Sequence, residues 1–260
     1  MKQFVILIAL LCPLLSASAK ELDRKQVDRI AGDTRTRWDV PGLAIAIVQN
    51  GKITHTVGYG IREAGTDASV DADTLFGIGS TTKAFTTTAL AMLSSDGKLS
   101  WDDPVRKHLP YFRLNDPCAD AAVTFRDIVS HRTGLTRHDW LWDNSPWTRE
   151  EVIRRMGEVS PSKPFRTTYQ YQNIMFIAAG EAVAQVSGKS WEQFVLERIV
   201  EPLGMKRTKL VTRDAYAVAN HAIGHHYDSE TAVRVRQFQY FEDENVAPAG
   251  AINSLSLIHI

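Results

Sequence analysis

Cysteine is scarce in this chain, with two in 260 residues, Cys12 and Cys118. Cys12 falls in a segment that reads as a cleavable leader. Cleavage leaves Cys118 alone, which excludes an intramolecular disulfide framework and leaves the fold to be held by its core. Net charge is absent as well, 30 Lys and Arg balancing 30 Asp and Glu. That balance argues against nucleic acid or an acidic membrane surface as the main partner. No apolar run is long enough to span a bilayer comfortably, and repeats and low-complexity stretches are missing. Metal-ligand spacing is missing too. His225-His226 has only Asp228 nearby and reads as a solvated loop, so no metal or cofactor is expected. With 44% hydrophobic and 23% charged residues, what remains is an ordinary globular composition.

The leader is the first departure from that composition. Lys2 supplies a positive start, Phe4 to Leu15 an apolar stretch, and Ala17-Ser18-Ala19 small residues at a cleavage site. This is the pattern of an export signal over residues 1–19. It predicts a mature domain over residues 20–260, located in the periplasm or outside the cell. Leu11 before Cys12 is bulkier than lipoprotein cleavage usually accepts.

Along the mature chain, Leu22, Val27 and Ile30 among charges predict an amphipathic helix between Lys20 and Trp38, broken by Pro41-Gly42. Leu43 to Val48, Asn50-Gly51 and Lys52 to Tyr59 then form the strongest short signal for a β-hairpin. A helix-rich stretch follows, its starts marked by Thr124…Asp127, Thr148…Glu151 and Ser190…Gln193. One helix opens near Asn173 and stops at Ser187-Gly188. The next ends before Pro202, with Trp191 and Phe194 on its core face. Weak strand signals recur only at Val233 to Tyr240. Two strands followed by many helices predict an α/β fold, an antiparallel sheet flanked by helices with a helical subdomain. A lone hairpin is marginally stable, so the sheet is expected to be incomplete within this chain.

The chemistry is suggested by Ser-x-x-Lys, a pattern expected about once by chance in a chain of this composition. It occurs at Ser80/Lys83, Ser95/Lys98 and Ser160/Lys163. The second spans a helix end at Gly97, and the third lies in a proline-flanked loop. Ser80 differs. Leu75-Phe76 leads in, Gly77 and Gly79 allow close backbone approach, and Phe85, Ala89, Met92 and Leu93 form a buried helical stripe. Ser80 therefore sits at a helix N-terminus, whose free N–H groups favour developing negative charge. Lys83 shares its face, where burial and the helix end would lower its pKa. From these residues alone, a Ser80 N-cap beside a solvated Lys83 remains an equal alternative.

"LFGIGSTTKAFTT" resembles the Ser-x-x-Lys segment of the serine β-lactamase and penicillin-binding-protein superfamily. The likeness extends through "VPGLAIAIVQNGKITHTVGYG", "LSWDDPVRKHLP", "VTFRDIVSHRTGL" and "YQYQNIMFIAAGEAVAQVSGKSWEQFVLERIVEPLGM", which are similar to segments of its class C-like branch. Tyr171-Gln172-Asn173 is the one Tyr-x-Asn of the chain and stands at a helix start. The resemblance implies a β-lactamase/transpeptidase-like fold and a catalytic set of Ser80, Lys83 and Tyr171. Ser80 would be acylated, Lys83 or Tyr171 would serve as base or Tyr171 would activate water for deacylation, and Asn173 would bind the substrate amide and help hold Lys83. The Ser80 backbone N–H would form half of an oxyanion hole. His131 in "SHRTGL" would be structural. Substrates would be small molecules or peptides: β-lactams, D-amino-acid peptides or esters. A non-hydrolytic penicillin- or peptide-binding sensor of the same fold is the alternative.

One family feature is missing. No Lys-Thr-Gly, Lys-Ser-Gly or His-x-Gly occurs in the chain, and Arg132-Thr133-Gly134 belongs to another segment. "VAPAGAINS" resembles a stretch that precedes the family's closing strands. The expectation is a chain truncated at its C-terminus, lacking those strands and possessing non-native last residues.

Overall fold

The computed structural model describes residues 23–228, 233–236 and 244–256. The leader, Leu22, the second half of the Val233–Tyr240 candidate and the last four residues lie outside the described residues.

The first helix, α1 (Arg24–Arg37), begins where the Asp23 side chain accepts from the Gln26 N–H. Its apolar face is weaker than the sequence pattern suggested. Ile30 is 54% exposed and Ala31 is the buried position. The helix rests on a hairpin, β1 (Gly42–Gln49) with β2 (Lys52–Gly60), largely through polar contacts such as Tyr59 donating to Asp28 at 2.6 Å. The hairpin is antiparallel, from Gln49 opposite Lys52 to Gly42 opposite Gly60. Asn50 and Gly51 have φ of 53° and 71°, the left-handed pair that a two-residue hairpin loop requires.

A short strand, β3 (Phe76–Gly77), leads through a 3-10 turn at Gly79–Thr81 into α2 (Thr82–Ser95). Ala89, Leu90 and Leu93 of α2 are completely buried. The helix ends at Asp96, with Gly97 left-handed behind it. Next come α3 (Val105–His108), α4 (Pro117–Ala122), α5 (Phe125–Val129) and α6 (Arg149–Met156). The Thr124–Asp127 capping box and the Thr148 cap form where their spacing predicts.

The central element is α7 (Ile174–Ser187), which packs against α2, α3, α5 and α6. Its residues Ile174 to Gly180 are all buried, as expected for a helix apolar on every side. Gly188 terminates it in the left-handed conformation. Ser190 caps α8 (Trp191–Val195), which buries Trp191 and Phe194 and runs on as a π-helical turn to Val200.

After α9 (Thr212–Tyr216) come β4 (His225–Asp228) and β5 (Val233–Arg236), paired antiparallel. His225 is therefore in a strand rather than a solvated loop. Its Nε2 accepts from the Ala64 N–H at 2.9 Å, which joins this hairpin to the loop after β2. Finally α10 (Ala247–Gly250) packs on α2 and α7, and β6 (Asn253–Ser254) pairs with β3. The described sheets are three two-stranded units beside a continuous helical core.

Candidate active site

Ser80 lies in the middle of the 3-10 turn and is exposed, while Lys83, one turn on, is 7% exposed. Gly79 has φ 51°, which lets the chain turn sharply from β3 into the helix. The C-terminal segment binds to this turn. Ile78 N–H donates to Ile252 O at 2.9 Å, and Ile252 N–H donates to Thr82 Oγ1 at 3.2 Å.

The structure brings all four expected residues together. Tyr171 OH donates to Ser80 Oγ at 2.6 Å, and Lys83 Nζ lies 3.1 Å from the same oxygen. Lys83 Nζ also donates to Asn173 Oδ1 at 2.8 Å and to Ala249 O at 2.7 Å. Three acceptors match the three hydrogens of an ammonium group. Two of them, an amide oxygen and a carbonyl, can only accept. When Lys83 loses a proton, its lone pair must therefore face Ser80 Oγ, whose hydroxyl can reverse direction. Geometry alone thus poises Lys83 to take the Ser80 proton.

Electrostatics agree. The Lys83 pKa is lowered to about 7, first by burial and then by the Arg137 guanidinium, with the Asp139 carboxylate opposing. The rings of Tyr171 and Phe176 lie 4.8 and 5.3 Å from its Nζ, so the cation retains some favourable contact despite its burial.

Tyr171 is held by the segment His131 belongs to. The two rings stack at 4.6 Å and 28°. His131 has φ 58°, and its Nδ1 accepts the Gln172 backbone N–H at 3.1 Å. A bond to Nδ1 leaves the proton on Nε2. Burial and the nearby Lys83 charge lower its pKa to about 4, so it is neutral near neutral pH. His131 orients the Tyr-x-Asn segment.

The loop carrying His131 is fixed from below by Asp127, which is fully buried. Arg132 Nε reaches its Oδ1 at 2.7 Å, Arg166 Nη2 its Oδ2 at 2.7 Å and Thr124 Oγ1 the same Oδ2 at 2.8 Å. Burial pushes the Asp127 pKa up, but the Arg166 and Thr124 donors outweigh it and hold the value at about 2. Gly134 in the same loop has φ 86°, and a Cβ there would lie 2.2 Å from Lys163 O.

The sequence reading missed three groups of this site. Ala249 contributes its backbone carbonyl, to which any residue type is equivalent. Arg137 lies in a short loop and Asp139 opens the 3-10 turn Asp139–Leu141 that follows, and neither carries a periodic or spacing signal. Asp139 Oδ1 accepts from Asn173 Nδ2 at 3.1 Å and from Trp142 Nε1 at 3.0 Å, while Oδ2 accepts from Arg137 Nε at 2.6 Å. Ser95 and Ser160 lie at a helix end and in a loop, apart from this cluster. Among the described residues no three His, Cys, Asp or Glu side chains gather as metal ligands. Beside the Ser80 turn, a cleft of about 550 Å³ runs between β1 and the β3–β6 pair, lined by Leu43, Ile45, Phe76, Ile78, Thr81 and Ser254 among others.

The fold is that of the β-lactamase and penicillin-binding-protein superfamily of serine hydrolases. It superposes on an octameric penicillin-binding protein homologue from Pyrococcus abyssi with a TM-score of 0.75 at 26% identity, covering 91% of this chain and 55% of that one. A D-alanine carboxypeptidase from Burkholderia cenocepacia gives 0.72 at 26% identity, covering 90% and 62%. The chain belongs to the Beta-lactamase family, whose model matches residues 27–256. It is also similar to an unguisins hydrolase of Aspergillus campestris, 38% identical over 210 residues, covering 77% of this chain and 39% of the relative. The chain thus spans about two fifths of the length of that curated relative. Among the described residues no helix is long and apolar enough to cross a membrane.

Proposed function

We propose that this chain carries the nucleophile-bearing site of an exported serine hydrolase that works through a Ser80 acyl-enzyme. The observation that supports it most is the convergence of Lys83 Nζ and Tyr171 OH on Ser80 Oγ, at 3.1 and 2.6 Å. A serine hydroxyl is a weak nucleophile until a neighbouring base takes its proton. Lys83, with its pKa lowered to about 7, is a base matched to neutral pH. Tyr171 shares the proton path, and the two act as a unit.

In this reading Ser80 Oγ attacks a carbonyl carbon while its proton passes to Lys83, directly or through Tyr171. The tetrahedral oxygen is stabilised by the Ser80 backbone N–H in the 3-10 turn that leads into α2. Collapse expels an amine or alkoxide, which recovers the proton, and water then releases the acyl group. Asn173 Nδ2 and Oδ1 are both engaged within the site, so its main role is to hold Lys83, with contact to a substrate amide secondary. Substrates are β-lactams, D-amino-acid peptides or small esters. The similarity to a D-alanine carboxypeptidase favours D-amino-acid peptides, and that to an unguisins hydrolase supports hydrolysis in general. The leader composition supports a periplasmic or extracellular location.

The test is incubation of the full-length protein with a fluorescent penicillin and a chromogenic ester. Turnover that disappears in Ser80→Ala supports the hydrolase. A stable adduct on Ser80 would replace it with a non-hydrolytic penicillin- or peptide-binding sensor. No reaction with either probe would refute the acyl-enzyme.

A further inference from the structure

We infer that Asp139 is the positioning residue of this site, fixing the Asn173 side-chain amide so that its oxygen faces Lys83. The inference rests on the acyl-enzyme reading for its kinetic consequence, though the geometry stands apart from it.

An asparagine amide has two ends of nearly equal size and opposite hydrogen-bonding character. Which end faces Lys83 decides where the lysine lone pair can point. With Oδ1 inward, as observed, Asn173 and Ala249 O each take a Lys83 hydrogen, and the lone pair is left for Ser80. With Nδ2 inward, the amide would donate to Lys83, and the lone pair would be drawn away from the nucleophile. Lys83 therefore needs the amide in one orientation, but Lys83 alone does not impose it once neutral. A neutral amine can accept as well as donate.

Asp139 removes that ambiguity. A carboxylate only accepts, so the Asn173 atom 3.1 Å from its Oδ1 must be the Nδ2 donor. The carboxylate is itself immobilised by Trp142 Nε1 on Oδ1 and Arg137 Nε on Oδ2. Trp142 is 1% exposed, which anchors the arrangement in the core. Asp139 and Arg137 also act on the charge of Lys83 in opposite directions. The remaining groups about Lys83 are Ser80, Tyr171, the neutral His131 and Phe176. Asp139 thus acts twice, on orientation through Asn173 and on basicity through space. The two effects of its removal read out differently, orientation in the plateau rate and basicity in the position of the acid limb, and can be separated.

The experiment uses the full-length protein with Asp139→Asn, Asp139→Ala, Asn173→Ala and the Asp139→Ala/Asn173→Ala double variant, with acylation by fluorescent penicillin and by a chromogenic ester measured against pH. A misplaced catalytic group costs about 10²-fold, so Asp139→Ala should lose about that in the acylation rate. The double variant should lose no more than Asn173→Ala, because residues acting in series are not additive. In Asp139→Asn, an isosteric change that keeps the loop packed, the acid limb should move to lower pH although the plateau rate falls. Multiplicative losses, or an acid limb that stays put or moves up, would overturn the proposal. If the unmodified protein is acylated by neither probe, it is the hydrolase reading that fails. The Asp139 proposal is then read from Lys83 itself, as the pH dependence of its reductive methylation by formaldehyde and borohydride. Asp139→Asn should shift that titration to lower pH, and an unchanged titration would sink it.

Discussion

The helical centre and the N-terminal hairpin of this molecule obey different rules. In α7, Ile174 to Ala179 are between 0% and 3% exposed. In β1, every position except the exposed Val48 is only half-buried, and in β2 only His55 is buried. Both regions were legible as sequence signals, one from its start near Asn173 and its stop at Ser187-Gly188, the other from Asn-Gly between two strands. Their energetic weight is unequal, because burial, and not hydrogen bonding alone, supplies most of the favourable free energy of a core. The candidate site draws accordingly on the helical side. Lys83 and Asn173 emerge from α2 and the start of α7, and α10 closes over them. The hairpin contributes a wall of the adjoining cleft.

That contrast can be broken most sharply at the nucleophile. Ser80→Ala should abolish covalent labelling by fluorescent penicillin and lower turnover by about 10⁴-fold or more, as removing a nucleophile does elsewhere, while leaving the melting temperature nearly unchanged. Ser160→Ala, in its loop, should be neutral in both measurements. Equal losses would mean that the helical site is not where the chemistry happens.

Next in size are Lys83→Ala and Tyr171→Phe, each expected to lower acylation by about 10²–10⁴-fold, with a double variant far less impaired than the product of the two. The pH profile of the unaltered protein sharpens this. Below about pH 7 Lys83 holds its third proton and cannot accept another, so acylation should fall on the acid side with a limb near pH 7. A flat profile from pH 5 to 9 would show that Lys83 is not the base.

Stability distinguishes the two regions directly. Ile177→Ala in α7, at a site with no exposure, should cost about 2–5 kcal/mol in denaturant unfolding. Gly180→Ala should also destabilise. A Cβ there would meet the Pro248 ring at 2.4 and 2.6 Å, and such overpacking costs about 1–3 kcal/mol, against at most about 1 kcal/mol gained in helix propensity. Because Pro248 adjoins Ala249, the same change should slow acylation through the carbonyl that Lys83 binds. Ile53→Ser in β2, half exposed at 50%, should shift stability by no more than about 0.5 kcal/mol. A loss at Ile53 as large as that at Ile177 would show that the hairpin is covered in solution.

Much of the fold was legible because its determinants are local. The caps at Thr124, Thr148 and Ser190, the turn at Asn50-Gly51 and the helix stops at Gly97 and Gly188 each depend on a few consecutive residues. Where reading failed, the determinants were distant. Ile30 looked like part of the apolar face of α1, yet it is 54% exposed. His225 looked like loop, yet pairing with β5 and a bond from Ala64 make it strand. Gly180 carried no obvious purpose in a helical run until Pro248, far along the chain, filled the space a side chain would need.

The site divides in the same way. The sequence by itself determined that Ser80 and Lys83 lie one helical turn apart, since the 3.6-residue period places them on one face, and that Tyr171 and Asn173 stand together at a helix start. Only the tertiary structure decided that these two pairs meet, that Ala249 O and Asp139 complete the surroundings of Lys83, and that its proton is held weakly enough to lose near neutral pH. Contact across 90 residues and desolvation are properties of packing, and neither is written in any short stretch of the chain.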